Sequence, residues 1–399
     1  MGKVGLPAAL ALAVHGGHDV TGYDTSTWPS RVLAGEVPLP QEKGIDGLLA
    51  MDHGIDMADS PAGLVHCSDL VIVAVPTPHP PGYGGEVPVT QPVPADFIYS
   101  YLTRAVKDIC QAAGLLQKKV TVSVLSTVLP GTMRREILPL GNEYVTFLYA
   151  PSFIALGTVI MDFAWPGFSI CGAENPGDAK PLEQAYRAFL PEDPPPFYVM
   201  STESAEVAKM AYNFAGTVRI ELANWLQRLS SATGADCDDV TQILDFLPHG
   251  IRPGMPDGGP CRPRDLIALR MLSDRTGVIP QLPYIFQVSR EEHARWLAAQ
   301  VRDEAVKRGL PVMLMGTEYK EGTGITGGSP SLLLKYFLDE RYPDGCLEYK
   351  GEMPDHPAVY VASVQYDLSG MKFPEGSVIF DPWGTVQRDD IDVIRPGRL

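Results

Sequence analysis

Short apolar runs alternate with amphipathic stretches along most of this chain. SDLVIVAV, from Ser68 to Val75, is rich in β-branched residues and stops at Pro76-Thr77-Pro78. Such a run, closed by turn residues, predicts a strand buried on both faces. Phe97 to Ala113 has helical spacing. KVTVSVL, from Lys119 to Leu125, predicts a second strand ending at Ser126-Thr127, and Tyr144 to Leu148 and Phe168 to Cys171 predict two more. Strands alternating with helices make a doubly wound parallel sheet the expected arrangement.

The period then changes. PEDPPP, Pro191 to Pro196, is read as a boundary linker, and a long helix is expected from about Ser204 to Thr233. Its apolar positions are Val207, Met210, Ala211, Phe214, Ile220, Leu222, Trp225, Leu226 and Leu229, a distribution that predicts burial on several faces. A Pro/Gly-rich loop covers Pro248 to Arg264, and helices resume from Leu266 to about Arg308. Leu310–Met315, Val359–Val364 and Ser377–Phe380 then predict strands of a second, smaller sheet, with a helix from Ser331 to Leu338. The expected fold is α/β: an N-terminal Rossmann-type domain over 1–195, a central helical region over 196–300 and a C-terminal Rossmann-like α/β domain over 301–399.

Composition narrows the function. A net charge of −16 over 399 residues argues against nonspecific binding to nucleic acid or anionic membranes. No run reaches the roughly 18 apolar residues of a membrane helix, and the apolar start from Val4 to Val14 is read as a helix, not a signal peptide. The six cysteines lack CxxC spacing, which points to a reducing cytoplasm and to no zinc cluster.

The opening residues, MGKVGLPAALALA, carry the first candidate chemistry. In a dinucleotide turn, glycines permit a tight turn and close backbone approach to the pyrophosphate, and an acid about 20 residues on accepts from the ribose hydroxyls. Gly2 and Gly5, flanking Val4, stand as the last two glycines of G-x-G-x-x-G, and Asp24 in GYD as the acid. An acid here would repel a 2′-phosphate, so the expected cofactor is NAD. An ordinary helix start reads the same way in isolation. The first glycine and its strand would precede Met1, so the reading expects the true start several residues upstream.

The chain resembles the UDP-glucose/GDP-mannose 6-dehydrogenase family of nucleotide-sugar dehydrogenases. The resemblance rests on GKVGLPAALALA, GYD, VIVAVPTP, LSTVLPGT, ESAEVAKMAYNFAGTVRIELAN, PDGGPCRPRD and TEYKEGTGITGGSPSLLLKYFL, in family order. It implies NAD-dependent oxidation of a primary alcohol of a nucleotide-sugar or nucleotide-like substrate, a homodimer built on the central helix, and a C-terminal domain for the nucleotide. By resemblance Cys261 is the nucleophile, which can add to an intermediate aldehyde and, after a second hydride loss, carry a thioester. A lone cysteine is otherwise a small buried hydrophobe. Lys209 and Asn213, four apart on one helix, match the catalytic lysine and asparagine, and Asp265 matches the acid that handles protons and water. Thr127 falls near the reacting centre and Thr77 in the cofactor cleft. Ser152, Phe153, Arg252, Gly258, Gly259 and Lys320 fall among the substrate-binding positions.

Three further departures from the family pattern bear on chemistry. Ser152 stands where the family has a glutamate, and an unactivated hydroxyl is no general base at neutral pH. Gly327 and Trp383 stand where it has arginines, which removes two guanidinium forks suited to phosphate. Arg252, Arg262 and Arg264 are expected to compensate in part. Two other readings compete with the dehydrogenase: a noncatalytic nucleotide-sugar-binding relative, and a β-hydroxyacid-type dehydrogenase with no need for Cys261.

Overall fold

The computed structural model describes residues 1–37, 42–90, 93–189, 194–244, 252–340 and 346–397. The first three residues of the expected linker (191–193) and part of the expected loop (248–251) lie outside these. The chain forms two compact units, one of residues 1–78 and 97–211, the other of 79–96 and 212–399.

In the first unit, β1 (Thr21–Gly22) and β2 (Asp56–Met57) pair in parallel as a sheet of their own. A second sheet takes β3 (Leu70–Val73), β4 (Val120–Val124), β5 (Val145–Tyr149), β6 (Ser169–Ala173) and β7 (Phe197–Met200) in sequential order. The helices are α1 (Gly5–Leu10), α2 (Trp28–Leu33), α3 (Ile45–Leu49), α4 (Pro61–Cys67), α5 (Ser100–Leu116), α6 (Val159–Ala164) and α7 (Lys180–Arg187). On α5, Leu102, Val106, Ile109 and Ala113 share a core cluster with Val71 and Val73 of β3 and Val120, Val122 and Val124 of β4. Burying each of the large side chains contributes about 1.5–3 kcal/mol.

The expected all-parallel order needs one correction, because β6 runs antiparallel to β5. The chain re-enters the sheet from the end at which β5 left it. The short α6 suffices for that, whereas a parallel step needs a crossover running the length of the sheet. β7 was not expected. It follows the proline run and pairs in parallel with β6.

The helix α8 (Thr202–Thr233) begins in the first unit and ends in the second. There follow α9 (Cys237–Ile243), α10 (Arg262–Thr276), α11 (Leu282–Arg308) and α12 (Pro330–Asp339). The second unit's sheet has the order β12-β11-β10-β8-β9 and is parallel throughout, with β8 (Val312–Leu314), β9 (Leu347–Glu348), β10 (Val359–Val361), β11 (Val378–Phe380) and β12 (Asp392–Ile394). Its central strands are buried on both faces. Val312, Leu314, Val359, Val361 and Phe380 join a cluster with Leu297 and Val301 of α11 and Leu333 and Phe337 of α12. Met313, Tyr360 and Ile379 point the other way into a separate cluster. This is the contiguous apolar pattern that made these strands legible.

The expectation for α8 holds at Met210, which is 1% exposed, but is otherwise largely overturned. Beside Met210, Ala205 and Ala223, the buried positions are polar: Thr202, Glu206, Lys209, Thr217, Glu221, Asn224, Gln227 and Ser230 are each less than 9% exposed. Several of the large apolar residues point outward, with Val207, Leu222, Trp225 and Leu229 at 52%, 44%, 49% and 43% exposure. Glu206, Lys209, Thr217, Glu221, Asn224 and Gln227 each make a side-chain hydrogen bond, and most of these go to backbone. Asn224 accepts from the Gly254 N–H at 3.1 Å and donates to the Met255 carbonyl at 3.3 Å. Gln227 donates to the carbonyls of Pro382 and Pro396. Among the described residues, no helix is long and apolar enough to cross a membrane.

This inversion makes a direct prediction. Asn224→Leu leaves the Gly254 N–H and the Met255 carbonyl buried without their partner, so it should lower the unfolding free energy by about 2–4 kcal/mol. Urea titration reads the result. A stabilised variant would mean that the helix prefers apolar burial after all.

Candidate active site

In the first unit the polar side chains gather at the C-terminal ends of β3 and β4, where ligands sit in open α/β sheets. Thr77, after β3, is buried and donates its hydroxyl to the Thr127 carbonyl after β4 at 2.8 Å. Ser126 donates to the Val75 carbonyl at 2.6 Å and ties the same two loops together. The helical run from Gly5 continues through His15, and its first turn takes no side-chain cap. A Cβ placed on Gly2 would meet nothing within 4 Å, which leaves the backbone open to a ligand, as a pyrophosphate seat requires. A Cβ on Gly5 would sit 3.5 Å from the Ala74 Cβ, an ordinary contact, so helix–strand packing does not itself demand glycine there. Val4 is the residue just before α1. Asp24 lies beyond β1 and accepts from the Ser26 N–H at 2.8 Å, with the Met1 amino group at 2.9 Å. The open glycine, the acid and the paired threonines fit a bound NAD.

Lys209 is 7% exposed and donates to the Ser152 carbonyl at 2.9 Å, with its ammonium 4.9 Å from the centroid of the Phe153 ring. Ser152 therefore holds the lysine through its main chain, and its side chain is not needed for that. One turn earlier, Glu206 accepts from the N–H groups of Gly131 and Met133 at 2.6 and 2.8 Å. Burial raises its carboxyl above the usual range, and those two N–H groups oppose the shift. Glu206 thus anchors the loop after β4 to the helix that carries Lys209. The sequence reading missed it, although a buried acid three residues before the lysine in ESAEVAK is a usable signal.

In the second unit Cys261 is exposed and immediately precedes α10. Asp265, one turn on, is 2% exposed and accepts from the Asn213 side-chain amide at 2.7 Å. The structure therefore brings Asn213, Asp265 and the cysteine turn together. Burial pushes the Cys110 thiol up to about 11 and those of Cys171 and Cys346 up to about 12. Of the six cysteines only Cys67 and Cys261 are exposed.

The turn before the cysteine is packed backbone on backbone. The Gly259 N–H donates to the Gly328 carbonyl at 2.9 Å, and a Cβ on Gly328 would lie 2.1 Å from the Gly259 carbonyl oxygen. A Cβ on Gly258 would lie 2.6 Å from the Pro330 ring. The Tyr319 ring covers Gly259, and burial raises its phenol, with Cys261 adding to the shift. Glu86 accepts from the Gly328 N–H at 2.8 Å, and a Cβ on Gly327 would be 3.9 Å from the same carboxylate oxygen.

The expected compensation by arginines is corrected in part. Arg262 lies 2.7 Å from Asp257 and Arg264 lies 3.3 Å from Asp265, so both cations already face carboxylates of their own unit. Arg252 is exposed. Lys320 is exposed and heads a turn in which its carbonyl accepts from the Thr323 hydroxyl at 2.7 Å. The carboxylate of Glu318 holds that loop through the N–H groups of Gly322 and Gly324. Trp383 packs on Gly254, where a Cβ would come within 2.2 Å of the indole.

A buried charge network supports the cysteine turn. Glu221 accepts from the Asp257 N–H at 3.3 Å. Burial pushes the Glu221 carboxyl up to about 7, and the neighbouring Asp257 charge adds to this. A carboxyl raised in the fold contributes stability that is present below its ordinary value of 4.5 and lost as pH rises through about 7. Glu221→Gln should remove that loss. Between pH 5 and pH 8 the variant should gain roughly 2–3 kcal/mol relative to the parent in urea unfolding. Parallel curves across that range would mean that Glu221 stays ionised.

Residues 1–190 match the NAD-binding domain of the UDP-glucose/GDP-mannose dehydrogenase family, and residues 203–290 match its central domain. The chain is 26% identical over 357 residues to a GDP-mannose 6-dehydrogenase of Pseudomonas aeruginosa, covering 85% of this chain and 77% of that protein. Its fold is similar to that of a UDP-glucose dehydrogenase from Pyrobaculum islandicum, with a TM-score of 0.81 and 22% identity over 99% of this chain and 95% of that one. It is also similar to a UDP-D-ManNAc dehydrogenase from Pyrococcus horikoshii, with a TM-score of 0.80 and 22% identity over 100% and 97%.

Proposed function

The chain belongs to the UDP-glucose/GDP-mannose dehydrogenase family, and from that premise we propose that it oxidises the primary alcohol of a nucleotide-linked sugar through a covalent adduct on Cys261. The observation that carries this reading is the exposed Cys261 one helical turn from the buried Asp265–Asn213 pair. Bound NAD+ supplies the hydride acceptor.

The residues take the following parts. Lys209, held by the Ser152 carbonyl and the Phe153 ring, stabilises negative charge developing on the C6 oxygen. Asn213 orients that oxygen or a water, and Asp265 fixes the asparagine amide. Once the first hydride has left, the Cys261 sulfur adds to the aldehyde carbon, and the thiol proton passes to the oxygen. Once the first NADH has left and a second NAD+ has bound, that carbon gives up a second hydride to it while the hydroxyl proton passes to water, leaving a thioester. Water then cleaves the C–S bond to give carboxylate, a proton and free thiol. Gly2, Val4, Gly5, Asp24, Thr77 and Thr127 serve the cofactor. Arg252, Gly258, Gly259 and Lys320 serve the substrate. We retain the functional division into 1–195, 196–300 and 301–399.

Ser152 bears on the last step, because it offers no carboxylate base. This also supports the competing reading of a binding protein without turnover. Incubation with NAD+ and UDP-glucose, GDP-mannose or UDP-N-acetylmannosamine should produce NADH with at least one of them, read at 340 nm. A folded protein that binds these compounds and makes no NADH would favour the competing reading. Because Lys209 is held by main chain, Ser152→Glu leaves that contact in place. It should raise the yield of acid relative to aldehyde or thioester about tenfold or more, measured by mass spectrometry of the products. An unchanged product ratio would show that hydrolysis does not depend on this position.

We also propose a homodimer and a cytoplasmic location. The dimer is supported by the exposed apolar stripe of Leu222, Trp225 and Leu229 on α8, a large amphipathic anchor of the kind that dominates interfaces. The location is supported by six cysteines that are all free. Trp225→Glu should shift the mass found by light scattering from dimer to monomer. A parent chain that is already monomeric would remove this part of the proposal.

A further inference from the structure

Four residues before the nucleophile, Asp257 is 1% exposed and contacted by three separate helices. Its carboxylate accepts from the Thr217 hydroxyl of α8 at 2.6 Å and faces the Arg262 guanidinium of α10 at 2.7 Å. Its N–H donates to Glu221 of α8 at 3.3 Å, and its carbonyl accepts from Arg290 of α11. Arg290 is itself buried and reaches on to the Gly85 carbonyl at 2.8 Å. Arg262 closes the turn from its far side, donating to the Gly258 carbonyl at 3.4 Å and lying along α8 beside Gly216.

From this geometry we propose that Asp257 and Arg262 form a clamp across the cysteine turn and act as positioning residues for Cys261. The turn between them, Gly258-Gly259-Pro260-Cys261, contains two glycines, and Gly259 has a φ of +100°. Glycine here has wide conformational freedom, so the turn needs fixing from its two ends. A buried carboxylate without its cation would be strongly unfavourable, so the pair holds as a unit. Asp257 also keeps the Arg262 guanidinium engaged at the residue after the exposed Cys261, which reserves that cation for the turn and away from the substrate.

The inference rests on the nucleophilic reading of Cys261, and its test separates the two. Arg262→Gln and Asp257→Asn are compared with the parent in the full chain, with Arg262→Gln as the milder change because Arg262 is partly exposed. Hydrogen–deuterium exchange of the peptide spanning 252–266 should be about tenfold faster in both variants. With NAD+ and whichever of the three nucleotide sugars is turned over, kcat should fall about tenfold or more while KM for NAD+ stays within about twofold. The double variant should be no worse than the poorer single variant, because both remove one shared interaction. Folded variants with parental exchange overturn the clamp, as do losses that add in the double variant. If exchange speeds up but turnover is unchanged, the positioning role is overturned. If Cys261→Ala also retains turnover, the nucleophilic reading fails with it, and if Cys261→Ala is inactive that reading survives alone.

Discussion

The structure depends on a helix that buries its polar side. Along α8, Glu206 and Lys209 in the first unit and Thr217, Glu221, Asn224 and Gln227 in the second are all buried, three or four residues apart within each group. A polar group taken out of water is costly unless it finds a partner, so each of these residues dictates where a distant loop must lie. Glu206 fixes the loop after β4, and Lys209 fixes the segment after β5. Thr217 and Glu221 fix Asp257, Asn224 fixes Gly254 and Met255, and Gln227 reaches the carbonyls of Pro382 and Pro396. The helix is less a hydrophobic strut than a row of hydrogen-bonding pegs, and the proposed catalytic residues hang from it.

This arrangement explains how the site tolerates its unusual residues. Ser152 needs only its carbonyl to hold Lys209, so the loss of a carboxylate at this position leaves the lysine in place. Where arginines are expected for phosphate, the second unit instead has Gly327 beside Glu86 and Trp383 packed over Gly254. The nearby Arg262 and Arg264 face Asp257 and Asp265. The cations of the cysteine region are thus largely committed to internal carboxylates. That is a physical reason to expect a substrate preference different from that of enzymes with two free guanidinium forks.

VYV was readable as a strand buried on both faces, whereas LVIV and VTVSV were readable by their β-branched residues although β3 is fully buried on one face only. Cys261, Asp265, Lys209 and Asn213 were singled out because PDGGPCRPRD and ESAEVAKMAYN resemble family motifs, and the structure puts Asn213 beside Asp265. What escaped depends on partners remote in sequence. The apolar residues of α8 suggested burial, but the backbone groups that draw its polar side inward lie as far as 169 residues away. β1 and β2 pair only two residues each, too few for a period. β7 hides behind a proline run, and the antiparallel turn of β6 follows from the path of α6, not from composition. Asp257 and Arg262 lie five apart across a turn, a spacing that no helix or strand rule links.

Cys261 is proposed to form a covalent bond to the oxidised substrate, and Ser152 should make that species long-lived. The most direct measurement is rapid acid quench of the enzyme during turnover with NAD+ and its nucleotide sugar, followed by peptide mass spectrometry. The peptide containing Cys261 should gain a mass increment equal to the oxidised sugar nucleotide, appearing at the rate of NADH formation. Steady turnover with that peptide unmodified at every quench time would contradict it.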